Sequence, residues 1–147
     1  MPIIVVGMHR SGTSLVAGLL HIAGVALGDE SQMLPDNKTE NEKGFWENVS
    51  FLEFNERILK HFGGAWYDPP TLPDGWLDIP QVKTWEKEAA ASVAEQFSGM
   101  AFWAWKEPRT SILLPFWRSV VPAAAVVVCF RNPLGVAGSL AKRNVFS

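Results

Sequence analysis

Eight consecutive residues, Gly7-Met8-His9-Arg10-Ser11-Gly12-Thr13-Ser14, put two glycines, three hydroxyls and one guanidinium between an apolar run and a helical pattern. A turn of this kind aims backbone N–H groups and the positive end of a helix at one point, which is the chemistry of anion binding. Arg10 adds a permanent positive charge. Two further cations, Lys106 and Arg131, each directly follow an apolar run, Ala101 to Trp105 and Ala124 to Phe130. The overall charge has the same asymmetry. Residues 1–100 carry 14 acids against 7 Lys or Arg, whereas residues 101–147 carry six Lys or Arg against Glu107 alone. On charge alone that pattern reads first as an ordinary solvated face and second as a site for a compact polyanion, and a net charge of −2 gives no footprint for nucleic acid.

Measured against the phosphate-cradling pattern G-x-x-x-x-G-K-[ST], the two glycines and the final hydroxyl fit, but Thr13 occupies the lysine position. A second departure is more informative. Where phosphoryl-transfer enzymes end a later apolar strand in an acid that helps hold Mg²⁺, this chain has Arg131. Both departures disfavour ATP–Mg²⁺ chemistry and favour direct recognition of an anion with no metal required. His9, His21 and His61 are not at metal-ligand spacing, and with one Cys no zinc site is suggested.

The elements that must position these residues are read from hydrophobic periodicity. Ile3 to Val6 is a short continuous apolar run, the signature of a strand buried on both faces. Thr13 to Ala23 predicts a helix stopped by Gly24, and residues 28–44 a polar loop. Asn48 is positioned to cap a helix over Val49 to Phe62 that Gly63 and Gly64 end, and residues 65–80 read as an extended loop before a helix from Gln81 to Phe97. Ala101 to Trp105 is a second strand. Thr110 or Ser111 is expected to cap a helix over Ile112 to Val120, and Ala124 to Phe130 is the third strand. Asn132 and Pro133 open a last helix to Arg143. Strands alternating with helices predict an α/β fold, a three-layer α/β/α sandwich with a mostly parallel sheet, in one domain over residues 1–147. Ligands of such sheets bind at the C-terminal strand ends, where Gly7 to Ser14, Lys106 to Arg109 and Arg131 to Pro133 all fall. Hydrophobic residues are 48% of the chain, enough for a real core, and seven Trp with nine Phe predict large buried faces or a ligand-stacking surface. The longest apolar stretch, Val120 to Phe130, is 11 residues against the ~20 a membrane span needs, and the N-terminus lacks the order of a signal peptide. The lone Cys129 excludes an intrachain disulfide and points to the cytoplasm. The chain stops directly after its last helix, which predicts an incomplete domain.

Taken together these residues resemble a family, the sulfotransferases that use 3′-phosphoadenosine 5′-phosphosulfate. The run His9 to Ser14 looks like their 5′-phosphosulfate loop. Val128 to Ser139, with Arg131 and, eight residues on, Ser139, looks like their 3′-phosphate motif, and Lys106 stands 25 residues before Arg131, as a strand-end lysine does in cytosolic members. Gly44-Phe45-Trp46-Glu47 and Trp105-Lys106-Glu107-Pro108-Arg109 look most like bacterial, carbohydrate-related members. Two departures stand out. The family's C-terminal segment over the adenosine is missing, and Pro108 occupies the place of the catalytic histidine.

The resemblance implies a phosphate-loop sulfotransferase core, 3′-phosphoadenosine 5′-phosphosulfate as donor, 3′-phosphoadenosine 5′-phosphate as product, and a hydroxyl acceptor, with a glycan preferred. Arg10, Ser11, Gly12, Thr13 and Ser14 would hold the 5′-phosphosulfate, Arg10 beside the bridging oxygen. Lys106 would be a second cation near the transferred group, and Arg131 with Ser139 would bind the 3′-phosphate. Glu47, flanked by hydrophobic residues that desolvate it and so sharpen it as a base, is the preferred general base, with Glu30 as runner-up. Arg109 is set aside, an ion pair with Glu107 being an equal reading. Trp66, Tyr67 and Trp76 read first as loop anchors and second as a stacking platform for an acceptor. The rivals are a nucleotide kinase or hydrolase, and a nucleotide-binding remnant without turnover.

Overall fold

The unbroken apolar run near the N-terminus forms β1 (Pro2–Val6), and all of Ile3 to Val6 is buried because this strand is central in a parallel sheet. A computed structural model of the chain describes residues 1–35 and 46–144. Within them β1 is followed by α1 (Thr13–Ile22), α2 (Val49–His61), α3 (Pro80–Phe97), β2 (Trp103–Lys106), α4 (Leu114–Val120), β3 (Ala125–Val128) and α5 (Pro133–Asn144). The sheet order is β2-β1-β3, all parallel, with Ile4 opposite Trp105 on one side and Val126 on the other. Strand alternation divides β1 between two cores. Ile4 and Val6 face α2, α3 and α4, whereas Ile3 and Val5 face Ala17 of α1 together with Val25 and Leu27.

Most of the aromatic content goes into the first of these cores. Trp103 of β2 stacks on Phe97 with ring centres 4.2 Å apart, and Phe51 lies between Trp105 at 4.9 Å and Trp117 at 5.1 Å. Trp76 and Trp85 are buried in the same cluster, so five of the seven Trp are structural. Helix signals behave as their chemistry dictates. The Asn48 side chain accepts the Ser50 N–H at 3.0 Å, and that of Asn132 accepts the Leu134 N–H at 2.9 Å with Pro133 as the first helical residue.

Four expectations are corrected. β3 covers only Ala125–Val128 rather than residues 124–130; it is an edge strand hydrogen-bonded to β1 alone, which leaves Val128 70% accessible. β2 begins at Trp103 rather than Ala101 and includes Lys106, which pairs with Val5 instead of opening the turn. α4 starts at Leu114 with no side-chain cap, since the Thr110 and Ser111 hydroxyls are taken by distant partners and Pro108–Ser111 forms a separate 3-10 helix. The polar stretch after α1 contains a 3-10 turn, Glu30–Gln32, under an Asp29 cap. Residues 36–45, which include Gly44 and Phe45, lie outside the described residues. Among the described residues no helix is long and apolar enough to cross a membrane.

A parallel sheet delivers every strand end to the same edge. The turn after β1, the Pro108–Ser111 turn after β2 and the Cys129–Asn132 turn after β3 therefore share one rim, and the candidate site lies there.

Candidate functional site

The loop of residues 7–14 is gripped at its root by the turns that follow both neighbouring strands. Gly7 has φ +153°, and a Cβ built on it would lie 2.5 Å from the Cys129 carbonyl oxygen. Its N–H donates to Ser111 Oγ at 2.8 Å, and the Cys129 N–H donates to the Val6 carbonyl at 2.8 Å. Gly7→Ala must therefore push β3 away as well as strain the backbone, and a loss of about 2–4 kcal/mol is expected in urea unfolding. Gly12, at φ +97° with open space around its Cβ position, is the internal control; there alanine costs only the left-handed conformation, about 1 kcal/mol. Equal losses at the two positions would refute the tight contact.

Arg10 is one of two non-glycine residues with positive φ among the described residues, at +67°, the other being Trp46. Left-handed backbone at such a residue costs of order 1 kcal/mol and persists only where tertiary contacts hold it. Here Arg10 Nε donates to Ser139 Oγ of α5 at 2.9 Å, and Arg131 Nη1 donates to the Arg10 carbonyl at 3.0 Å. Gly135 leaves room for this, since a Cβ there would stand 3.3 Å from Arg131 Nε. Three residues separated by up to 129 positions thus meet at the loop mouth. A pocket of about 220 Å³, lined by Arg10, Gly12, Thr13, Ser14, Leu15 and Arg131, opens beside them at the start of α1. Thr13 is buried, and Ser11 Oγ is buried without a hydrogen-bond partner among the described residues.

Glu47 and Lys106, 59 residues apart, form an ion pair, Nζ to Oε1 2.5 Å. Lys106, at the end of β2 beside Val5, has a side chain only 1% exposed, whereas that of Glu47 keeps 9%. Burial pulls the Lys106 ammonium below its ordinary range, and the Glu47 carboxylate opposes that shift. Burial pushes the Cys129 thiol up, and the Lys106 charge opposes that shift. Glu30, the other carboxylate considered, is exposed in its 3-10 turn and joins no cluster at the rim. The Trp46 indole packs over α1 at Gly18 and against His21. Trp66 rests on His9 of the loop with ring centres 4.4 Å apart, Trp76 belongs to the core, and Tyr67 is 70% exposed.

A second buried polar cluster adjoins the first. Asn55 Nδ2 donates to Glu107 Oε2 at 2.5 Å and to Thr110 Oγ1 at 3.0 Å, while its Oδ1 accepts the Trp117 indole N–H at 2.7 Å. Arg109 bonds Glu107 at 2.5 Å and Glu56 at 2.6 Å, which accounts for it as a structural cation. None of Asn55, Thr110 or Ser111 was singled out from sequence for these roles. The one available signal was Asn55 itself, a polar residue on the apolar stripe of α2 with Phe51, Ile58 and Leu59.

Burial pushes Glu107 up to about 7, against the pull of Arg109 and with a smaller push from Glu47. The native carboxyl then keeps its proton between the ordinary value of 4.5 and about 7, where the unfolded one has lost it. Its contribution to stability is complete below pH 4.5 and lost as pH rises through 7. Relative to Glu107→Gln, the wild type should lose on the order of 3 kcal/mol between pH 4.5 and 7.5 in urea unfolding, and a flat difference would refute a protonated Glu107.

Comparison of the chain with protein-family models, curated proteins and solved structures gives no match. The function therefore has to be argued from the site.

Proposed function

We propose that this chain binds 3′-phosphoadenosine 5′-phosphosulfate and transfers its sulfuryl group to a hydroxyl acceptor, with a glycan preferred. The observation that carries the reading is the meeting of Arg10, Arg131 and Ser139 at the mouth of the loop, beside a pocket at the start of α1. Two guanidinium groups, the loop hydroxyls and the α1 N-terminus together supply what a nucleotide with phosphates at both ends needs, in a donor set without carboxylates. Arg131 at the end of β3 and Thr13 in the loop favour this over Mg²⁺-dependent phosphoryl transfer.

In the proposed reaction the acceptor oxygen attacks sulfur as the bond from sulfur to the bridging phosphate oxygen breaks. The acceptor proton passes to Glu47, and the negative charge left on the 5′-phosphate is met by Arg10 and the loop N–H groups. Glu47 suits the base because its carboxylate is the more exposed partner of the pair, with Lys106 behind it as a fixed positive charge. The burial of that pair also favours a second reading, binding without turnover. The lone Cys129 suits a reducing cytoplasmic setting.

Calorimetric titration with 3′-phosphoadenosine 5′-phosphate in EDTA, with ADP–Mg²⁺ in parallel, tests the donor assignment. Binding of the bisphosphate without metal is expected. Binding of ADP–Mg²⁺ alone would replace the reading with a kinase or hydrolase. Incubation with the sulfated donor and a panel of sugar acceptors then separates transfer from binding alone.

A further inference from the structure

We propose that Ser111 is the positioning residue of the anion loop: its hydroxyl clasps the Gly7 peptide and so sets the loop's affinity for phosphate and sulfate groups. The proposal rests on the reading of residues 7–14 as an anion site. Gly7 is where the chain leaves β1 and stops pairing with its neighbours. Its N–H would point into a buried region with no strand to accept it, and Ser111, 104 residues later, supplies the acceptor at 2.8 Å.

What holds Ser111 in place is the buried cluster that no catalytic step uses. The 3-10 helix Pro108–Ser111 is too short to stand alone. Asn55 pins its Thr110 hydroxyl and the adjoining Glu107 carboxyl group, Trp117 pins Asn55, and the Thr110 N–H bonds the Glu107 carbonyl at 3.0 Å. These groups are costly to bury, and their bonds tie α2 and α4 to the turn that carries Ser111. The loop has reason to need such a clasp. Arg10 holds a left-handed conformation, and a strained loop keeps its N–H groups convergent only while its ends are tethered. Arg131 and Ser139 tether it at Arg10; Ser111 tethers it at the root.

The test uses Ser111→Ala and Ser111→Thr in the full chain, titrated in EDTA with inorganic pyrophosphate and with 3′-phosphoadenosine 5′-phosphate, alongside hydrogen exchange at the Gly7 amide. Loss of one neutral hydrogen bond should weaken both ligands about five- to tenfold in the alanine variant, with faster Gly7 exchange, while threonine restores both readouts. Unchanged affinity and exchange in Ser111→Ala would overturn the clasp, as would threonine failing to rescue. If the wild type binds pyrophosphate but not the nucleotide, the donor assignment falls and the pyrophosphate series decides the clasp. If it binds neither, both fall.

Discussion

Replacing Arg131 with alanine is expected to weaken the proposed binding of 3′-phosphoadenosine 5′-phosphate by roughly 10- to 100-fold and to leave urea unfolding nearly unchanged, within about 0.5 kcal/mol. The side chain is exposed at the start of α5, and its hydrogen bond within the protein is to the Arg10 carbonyl. Little packing is therefore lost with it. A ligand phosphate, by contrast, would lose a charge-assisted and potentially bidentate partner. Arg131→Lys separates the two contributions, because an ammonium keeps the charge without the planar fork. Partial recovery with lysine is expected, with the remaining binding more sensitive to salt. Calorimetry at low and high ionic strength reads all three proteins, and wild-type affinity in Arg131→Ala would remove the guanidinium from the site.

Glu47→Ala is expected to cost about 3–5 kcal/mol in stability, far more than loss of a surface acid, because it strands the Lys106 ammonium in a site where it is only 1% exposed. The pair formed over 59 residues is thus stabilising only in the sense that half of it is worse than none. Glu47→Leu combined with Lys106→Met should recover most of the loss, since two apolar side chains of similar volume carry no desolvation penalty. Equilibrium unfolding of the single and double variants checks this. Losses that simply add would show that the two groups do not depend on each other. The same comparison bears on catalysis, because the double variant retains the loop, Arg131 and Ser139 and should bind the bisphosphate while failing to turn over.

Local chemistry is legible in the sequence. The buried run Ile3–Val6, the Asn48 and Asn132 caps, the helix after Gly12 and the gathering of three turns at one rim follow from periodicity, capping and the rules of parallel sheets. The strand, the caps and the helix depend on residues within a turn or two of each other, and the shared rim on the geometry common to parallel sheets. What the amino-acid order leaves open is which distant groups meet. A run such as Ala124 to Phe130 reads as a strand from its hydrophobicity, yet edge or centre is decided by strand order, and β3 lies at the edge with Val128 exposed. Thr110 and Ser111 have the right chemistry for a helix cap, and whether they cap α4 or bond Asn55 and Gly7 depends on how α2 and the loop pack against their turn. The Glu47–Lys106 pair and the burial of Glu107 arise in the same way. By itself the sequence determined the strands, the helices and an anion-suited loop, because those are short-range consequences of residue type. Only the tertiary structure decided that Arg10, Arg131 and Ser139 converge and that Ser111 holds the loop root, because a hydrogen bond spanning a hundred residues leaves no periodic trace in the chain.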